Sequence, residues 1–154
     1  LDKKEEASKK IRQVFNKMAM LNASIMASEL SEYTPSEVHV IEFIGENNQA
    51  NVTKLAQGLY MTKGAISKIS KKLIAKGAIE TVKKSDNKKE VYFLLTDKGQ
   101  EVFDTHKSLH DSFEKRDEQV FEDVTDQEYA RIIEIMEKYS GHLDKEIEKS
   151  GLEM

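Results

Sequence analysis

Between Thr62 and Leu95 the spacing of apolar residues switches from helical to alternating, and few folds accommodate that switch. Ile66, Ile69 and Leu73 fall at i, i+3 and i+7, one buried stripe on a helix that Thr62 caps and that ends near Gly77. Ile79 to Lys83 and Glu90 to Leu95 then read as two strands, rich in Ile, Thr, Val, Tyr and Phe and joined by the polar turn Lys84 to Lys89. A helix therefore runs almost directly into a hairpin.

The positive charge of the chain sits on the same stretch. Residues 62–89 hold nine lysines and two acids, a local charge of +7 in a protein of net charge −4, so the remainder carries −11. A long-range field follows where charge is placed, not its total. Gly64, Lys68, Lys71 and Ala75 lie nearly opposite the apolar stripe of the helix, which keeps the basic and buried faces apart. One face of an acidic protein should thus attract a polyanion.

The rest of the chain reads mainly as helix. Ile11, Val14, Phe15, Met18, Leu21 and Ile25 recur at helical spacing between residues 3 and 30. Thr34-Pro35-Ser36-Glu37 supplies an N-cap, a proline at the first helical position and a glutamate placed for a capping box, opening a second helix that buries Val38, Ile41 and Ile44 and stops at Gly45. Asn47 to Asn51 forms a turn into a short third helix from about Thr53 to Leu59, with Leu55 and Ala56 inward. The Thr62 helix is the fourth. Thr96-Asp97 starts a fifth that extends to residue 115 or beyond, and Thr125-Asp126-Gln127-Glu128 is a second capping box before a last helix.

At 154 residues, 38% hydrophobic and 34% charged with one proline, the chain suits a soluble, helix-rich domain. No run approaches the roughly 18 apolar residues of a membrane span, and the charged start, Asp2-Lys3-Lys4-Glu5-Glu6, is not signal-like, so a cytoplasmic location is expected. The absence of cysteine excludes disulfides, thiolate metal ligands and thiol redox sensing. Catalysis finds little support. There is no glycine-rich phosphate loop and no nucleophile elbow, and His106-Lys107-Ser108-Leu109-His110 lacks the glutamate of a zinc-hydrolase motif.

The third and fourth helices, a few residues apart around Tyr60 and Met61, have helix-turn-helix spacing, and in such a unit the second helix enters the major groove. Gly64, Ala65 and Ser67 would permit close approach, with Lys63, Lys68, Lys71 and Lys72 reaching phosphates or base edges. Thr53, at the start of the third helix, and Thr62 join the expected contact set. Lys88 and Lys89 at the hairpin tip are placed to meet the adjacent backbone or minor groove, as a wing does. The expected fold is a mainly α winged helix-turn-helix with a small β-hairpin wing: an N-terminal helix over residues 1–33, a DNA-binding lobe over 34–99, and a long helix with the last helix over 100–154.

The segments TPSEVHVIEFIGEN (34–47), VTKLAQGLYMTKGAISKISKKLIAKGAIE (52–80) and VYFLLTDKG (91–99) resemble the MarR family of bacterial transcriptional regulators. The likeness is most specific at Thr62, Ile66, Ser67, Lys68, Leu73 and Gly77 and at Leu95 to Gly99, and nearly the whole chain follows the family's order of elements. It implies a homodimer with interlocked first and last helices, two lobes reading a pseudo-palindrome in double-stranded DNA, and repression relieved by a small-molecule effector. It also places Thr62, Lys63, Ser67 and Lys68 where the family's recognition helix meets bases and phosphates. The wing departs from the family pattern of Asp with Arg: Asp86-Asn87-Lys88-Lys89 offers point charges in place of arginine's planar fork.

Dimerisation has separate support in Tyr129, Ile132, Met136, Tyr139, Leu143 and Ile147, one stripe along the last helix, which needs a covering surface on the first helix or on a second copy. Ile11 and Phe15 on the first helix join that expected interface. Met18, Met20 and Met26, with Phe15, are candidates to line an effector cleft or simply to fill core gaps. His106 and His110, at i, i+4, point the same way, and His39 could approach them, a set able to hold zinc in a zinc-responsive regulator. Structural histidines without metal or cofactor are the first expectation. The main alternative to DNA binding is a winged-helix interaction module whose lysine face grips an acidic protein.

Overall fold

The computed structural model describes residues 2–83 and 89–151. The chain divides into two compact units, residues 1–35 and 36–154. The first is built on α1 (Lys3–Glu29), whose N-cap Asp2 accepts the Glu5 N–H at 2.8 Å. Along α1 Ile11, Val14, Phe15, Met18, Met20 and Leu21 are all exposed.

The second unit begins in the first turn of α2 (Pro35–Glu46) and continues through α3 (Val52–Leu59), α4 (Lys63–Ala75), β1 (Ile79–Lys83), β2 (Val91–Leu95), α5 (Asp97–Asp117), one 3-10 turn (Glu118–Phe121) and α6 (Asp126–Ser150). The expected helices and hairpin are all present. Helix α2 runs one residue past Gly45, and α5 ends just beyond residue 115. No helix among the described residues is long and apolar enough to cross a membrane.

The core of the second unit lies where α2, α3, α4 and the hairpin bring their apolar faces inward. Val40, Ile41, Ala50, Leu55, Ala56, Ile66, Leu73 and Ala78 are fully buried, joined by Ile79, Tyr92 and Phe93. Each large aliphatic chain so buried contributes about 1.5–3 kcal/mol. Strands β1 and β2 pair antiparallel with Ile79 opposite Leu95 and Thr81 opposite Phe93. Phe93 N–H also donates to Ala50 O at 2.9 Å, so the turn before α3 extends the hairpin edge, a contact that apolar spacing gives no hint of.

Two short-range devices fix α4 against the elements after it. Gly77, at φ 74°, lets Ala78 N–H return to Leu73 O at 3.0 Å, a left-handed helix stop that a side chain would strain. The start of α5 then closes onto that stop: Thr96 N–H donates to Ala78 O at 3.1 Å, Thr96 Oγ1 to Gly77 O at 2.5 Å, and Lys98 Nζ to Lys76 O at 3.0 Å. Gly99 sits so near that a Cβ there would fall 1.9 Å from Ala78 O. The Leu95 to Gly99 motif is therefore a clasp between the hairpin, the end of α4 and the start of α5.

Candidate nucleic-acid interface

Helix α4 presents two faces. Ile66 and Leu73 are fully buried with Ser70, and Ile69 is half-buried, while Lys63, Gly64, Lys68, Lys71 and Lys72 are exposed and Ser67 is half-buried. Thr62 caps the helix, its Oγ1 accepting the Ala65 N–H at 3.0 Å. Helix α3 is capped likewise by Asn51, which accepts the Lys54 N–H at 2.8 Å and leaves Thr53 exposed in the first turn. The turn between them is closed by Met61 N–H donating to Ala56 O at 3.0 Å. Two capped helices at this separation present N-terminal N–H groups, hydroxyls and ammonium groups, a donor set suited to phosphate oxygens.

The lysine-rich stretch is not uniformly outward. Lys76, at the C-cap of α4, turns toward α2, where its Nζ lies 2.8 Å from Oε2 and 3.2 Å from Oε1 of Glu37. Glu37 is only 3% exposed, so part of the sequence's local +7 is neutralised inside the fold. The capping-box reading gives no sign of this partner for Glu37. Lys83 and Lys89 are exposed on the described arms of the hairpin. Lys88 lies outside the described residues.

Five of the six residues of the apolar α6 stripe are exposed in the single chain. Tyr129 is 37%, Ile132 42%, Met136 43%, Tyr139 50% and Leu143 44% accessible, with Ile147 half-buried. On α1, Phe15 is 70% and Ile11 40% accessible, and Met18 and Met20 are exposed. Helix α6 itself is firmly started: Thr125 Oγ1 accepts the Glu128 N–H at 3.3 Å while Glu128 accepts the Thr125 N–H at 2.8 Å, the reciprocal box expected from sequence. Those hydrogen bonds from the Thr125 backbone and hydroxyl hold the Glu128 carboxyl below its ordinary range.

His106 and His110 meet as their spacing requires, Nε2 to Nε2 at 3.1 Å with the rings edge to face. The third member of the group is Glu42, not His39: ligand atoms of Glu42, His106 and His110 all lie within 4.8 Å of one another. His39 is exposed on α2 and stands outside that trio. In the sequence Glu42 is legible only as the residue one helical step beyond His39. Burial of His106 pushes its imidazole below the ordinary value, opposed by Glu42 and reinforced by His110 and His39. Two imidazole nitrogens and one carboxylate oxygen are a donor set that suits a borderline divalent cation such as zinc.

Comparison with known proteins agrees with this architecture. The MarR family profile matches residues 33–91. The HTH-type transcriptional regulator PchR of Bacillus subtilis (strain 168) is 30% identical over 142 residues, covering 92% of this chain and 81% of PchR. YhjH of the same organism, an uncharacterised HTH-type transcriptional regulator, is 40% identical over 98 residues, 64% of this chain, and the match spans only 56% of YhjH. FabT of Streptococcus pneumoniae, solved in complex with DNA, superposes with a TM-score of 0.79 at 20% identity, over 92% of this chain and 97% of FabT.

Proposed function

Because the chain belongs to the MarR family of transcriptional regulators, we propose that it works as a homodimeric, sequence-specific repressor that releases its operator when an effector binds. The observation that carries the reading is the separation of faces on α4, where Lys63, Lys68, Lys71 and Lys72 are exposed behind a fully buried Ile66 and Leu73. Thr62, Lys63, Gly64, Ser67 and Lys68 enter the major groove, Thr53, Lys71 and Lys72 hold phosphates, and Lys89 with Lys88 serves the wing. Phosphate contacts set register and the few groups near base edges set sequence. The exposed stripe from Tyr129 to Leu143, with Ile11 and Phe15, pairs two copies so that the lobes stand about 34 Å apart, one turn of the duplex.

An effector acts here only by binding one lobe spacing better than the other. In vitro selection of bound duplexes followed by fluorescence anisotropy tests the reading. Lys68→Ala should weaken binding by about 1–3 kcal/mol if Lys68 contacts a base. A chain that ignores duplexes of any sequence at low ionic strength, yet is retained by an acidic protein, would instead be an interaction module.

The grouping of Glu42, His106 and His110 favours a second reading of the effector, a zinc ion bridging α2 and α5. Helix α5 leads directly from the clasp at Thr96 to Gly99, so an ion there bears on the lobe that carries α4. Titration calorimetry with zinc checks it. Binding lost in His106→Ala supports the reading, and no heat with the wild-type chain removes it.

A further inference from the structure

The turn of the helix-turn-helix holds a residue poorly matched to its own backbone. Tyr60, which ends α3, has φ 53° and ψ 44°, the left-handed region in which a Cβ crowds the following carbonyl. The other two helix ends with left-handed geometry among the described residues, Gly77 and Gly151, use glycine. The remaining non-glycine residue at positive φ, Gln49, is a polar residue in an exposed loop. A bulky aromatic in this region is a genuine outlier.

The described fold gives the ring no polar or aromatic partner. Tyr60 is 49% exposed, and among the described residues its ring stacks on no other and its hydroxyl makes no hydrogen bond. Glycine or asparagine would close the same turn with less strain. Strain kept at a half-exposed residue without such a partner points outward, to something the side chain meets in a complex. The location narrows what that is: Tyr60 stands two residues before Thr62, the N-cap of α4, so its Cα lies within about 7 Å of the Thr62 Cα. Exposed Thr62 and Lys63 lie just beyond it in the chain.

We propose that Tyr60 is itself a DNA contact, its hydroxyl donating to a phosphate oxygen and its ring lying against the adjoining deoxyribose where α4 enters the groove. Tyrosine suits that place because it combines an apolar face with a neutral donor. The inference rests on the DNA reading above and adds to it a contact that carries no charge. Its signature therefore differs from that of the lysines: an uncharged group releases no counterion, so losing it lowers affinity without changing the salt dependence.

Anisotropy with a selected duplex across a salt series, on the full chain, separates the possibilities. Tyr60→Asn keeps a residue tolerant of left-handed geometry, and Tyr60→Phe removes the hydroxyl alone. The expected result is a loss of about tenfold for Tyr60→Asn and a smaller loss for Tyr60→Phe, with melting temperatures no lower than wild type and the slope of log K against log salt unchanged. Wild-type affinity in Tyr60→Asn overturns this inference while leaving the DNA reading intact. A slope that flattens together with the affinity also overturns it, because Tyr60 would then act only by holding the lysines of α4 in place. A wild-type chain that binds no duplex overturns the DNA reading itself, and this contact with it.

Discussion

Lys76 Nζ lies 2.8 Å from Glu37 Oε2, tying the C-terminal end of the basic helix α4 to the first turn of α2. The carboxylate is almost fully enclosed while the lysine side chain keeps 35% of its surface, so removing the lysine takes the cation away from a buried charge. Lys76→Met should lower stability by about 3 kcal/mol, the low end for a broken buried pair because water still reaches one partner. Urea unfolding reads this as a lower midpoint. The same variant should keep the wild-type salt dependence of duplex binding, since this amine is committed to Glu37; a reduced slope would return Lys76 to the contact set.

The clasp at the start of α5 leaves no room for a side chain at Gly99, where a Cβ would stand 1.9 Å from Ala78 O. The obstacle is backbone and cannot swing aside. Gly99→Ala should cost about 1–3 kcal/mol through forced displacement of β1 or α5. Calorimetric melting measures the cost, and an unchanged transition would mean that the two segments part freely and the clasp holds nothing.

Helix α6 depends on a charged cap whose contribution follows pH. The Glu128 carboxyl is held below its ordinary value of 4.5 by the Thr125 hydrogen bonds. A depressed folded value means the stabilisation is complete above the unfolded value and is lost as pH falls through the lower folded one. Thr125→Ala should cost about 1 kcal/mol at neutral pH. Glu128→Gln should flatten the acid limb of the stability profile, and an acid limb identical to wild type would deny the cap this role.

A second copy of the chain is the proposed cover for the α6 stripe. Ile132, 42% accessible in the single chain, is the second residue of that stripe. Ile132→Asp should raise the dimer dissociation constant at least tenfold, about 1.4 kcal/mol or more. Sedimentation equilibrium checks this. A wild-type chain that is monomeric at micromolar concentration would refute the pairing outright.

Legibility from sequence tracks the range of the forces involved. The caps at Thr62, Thr96 and Thr125 and the stop at Gly77 are local, set by residues within one turn, and each can be read from the chain alone. The stripe of Ile66, Ile69 and Leu73 is readable because burial repeats with the helical period. The hidden contacts join distant residues: Glu37 with Lys76, Ala50 O with the Phe93 N–H, and Glu42 with the His106 and His110 pair. Lysine counts record where amines attach to the chain, and only the ion pair between Lys76 and Glu37 shows that one of them turns toward α2. Tyr60 is visible as a turn residue, but its left-handed backbone is not, because tyrosine gives no sign of it.

The salt dependence of duplex binding tests the central claim most directly, that the exposed lysines of α4 and the hairpin grip DNA phosphates. Log K should fall linearly and steeply with log salt for the wild-type chain, and Lys71→Ala or Lys72→Ala should each reduce the slope by about 0.9, one phosphate apiece. Binding that is absent at low salt, or as steep in both variants as in the wild type, would contradict it.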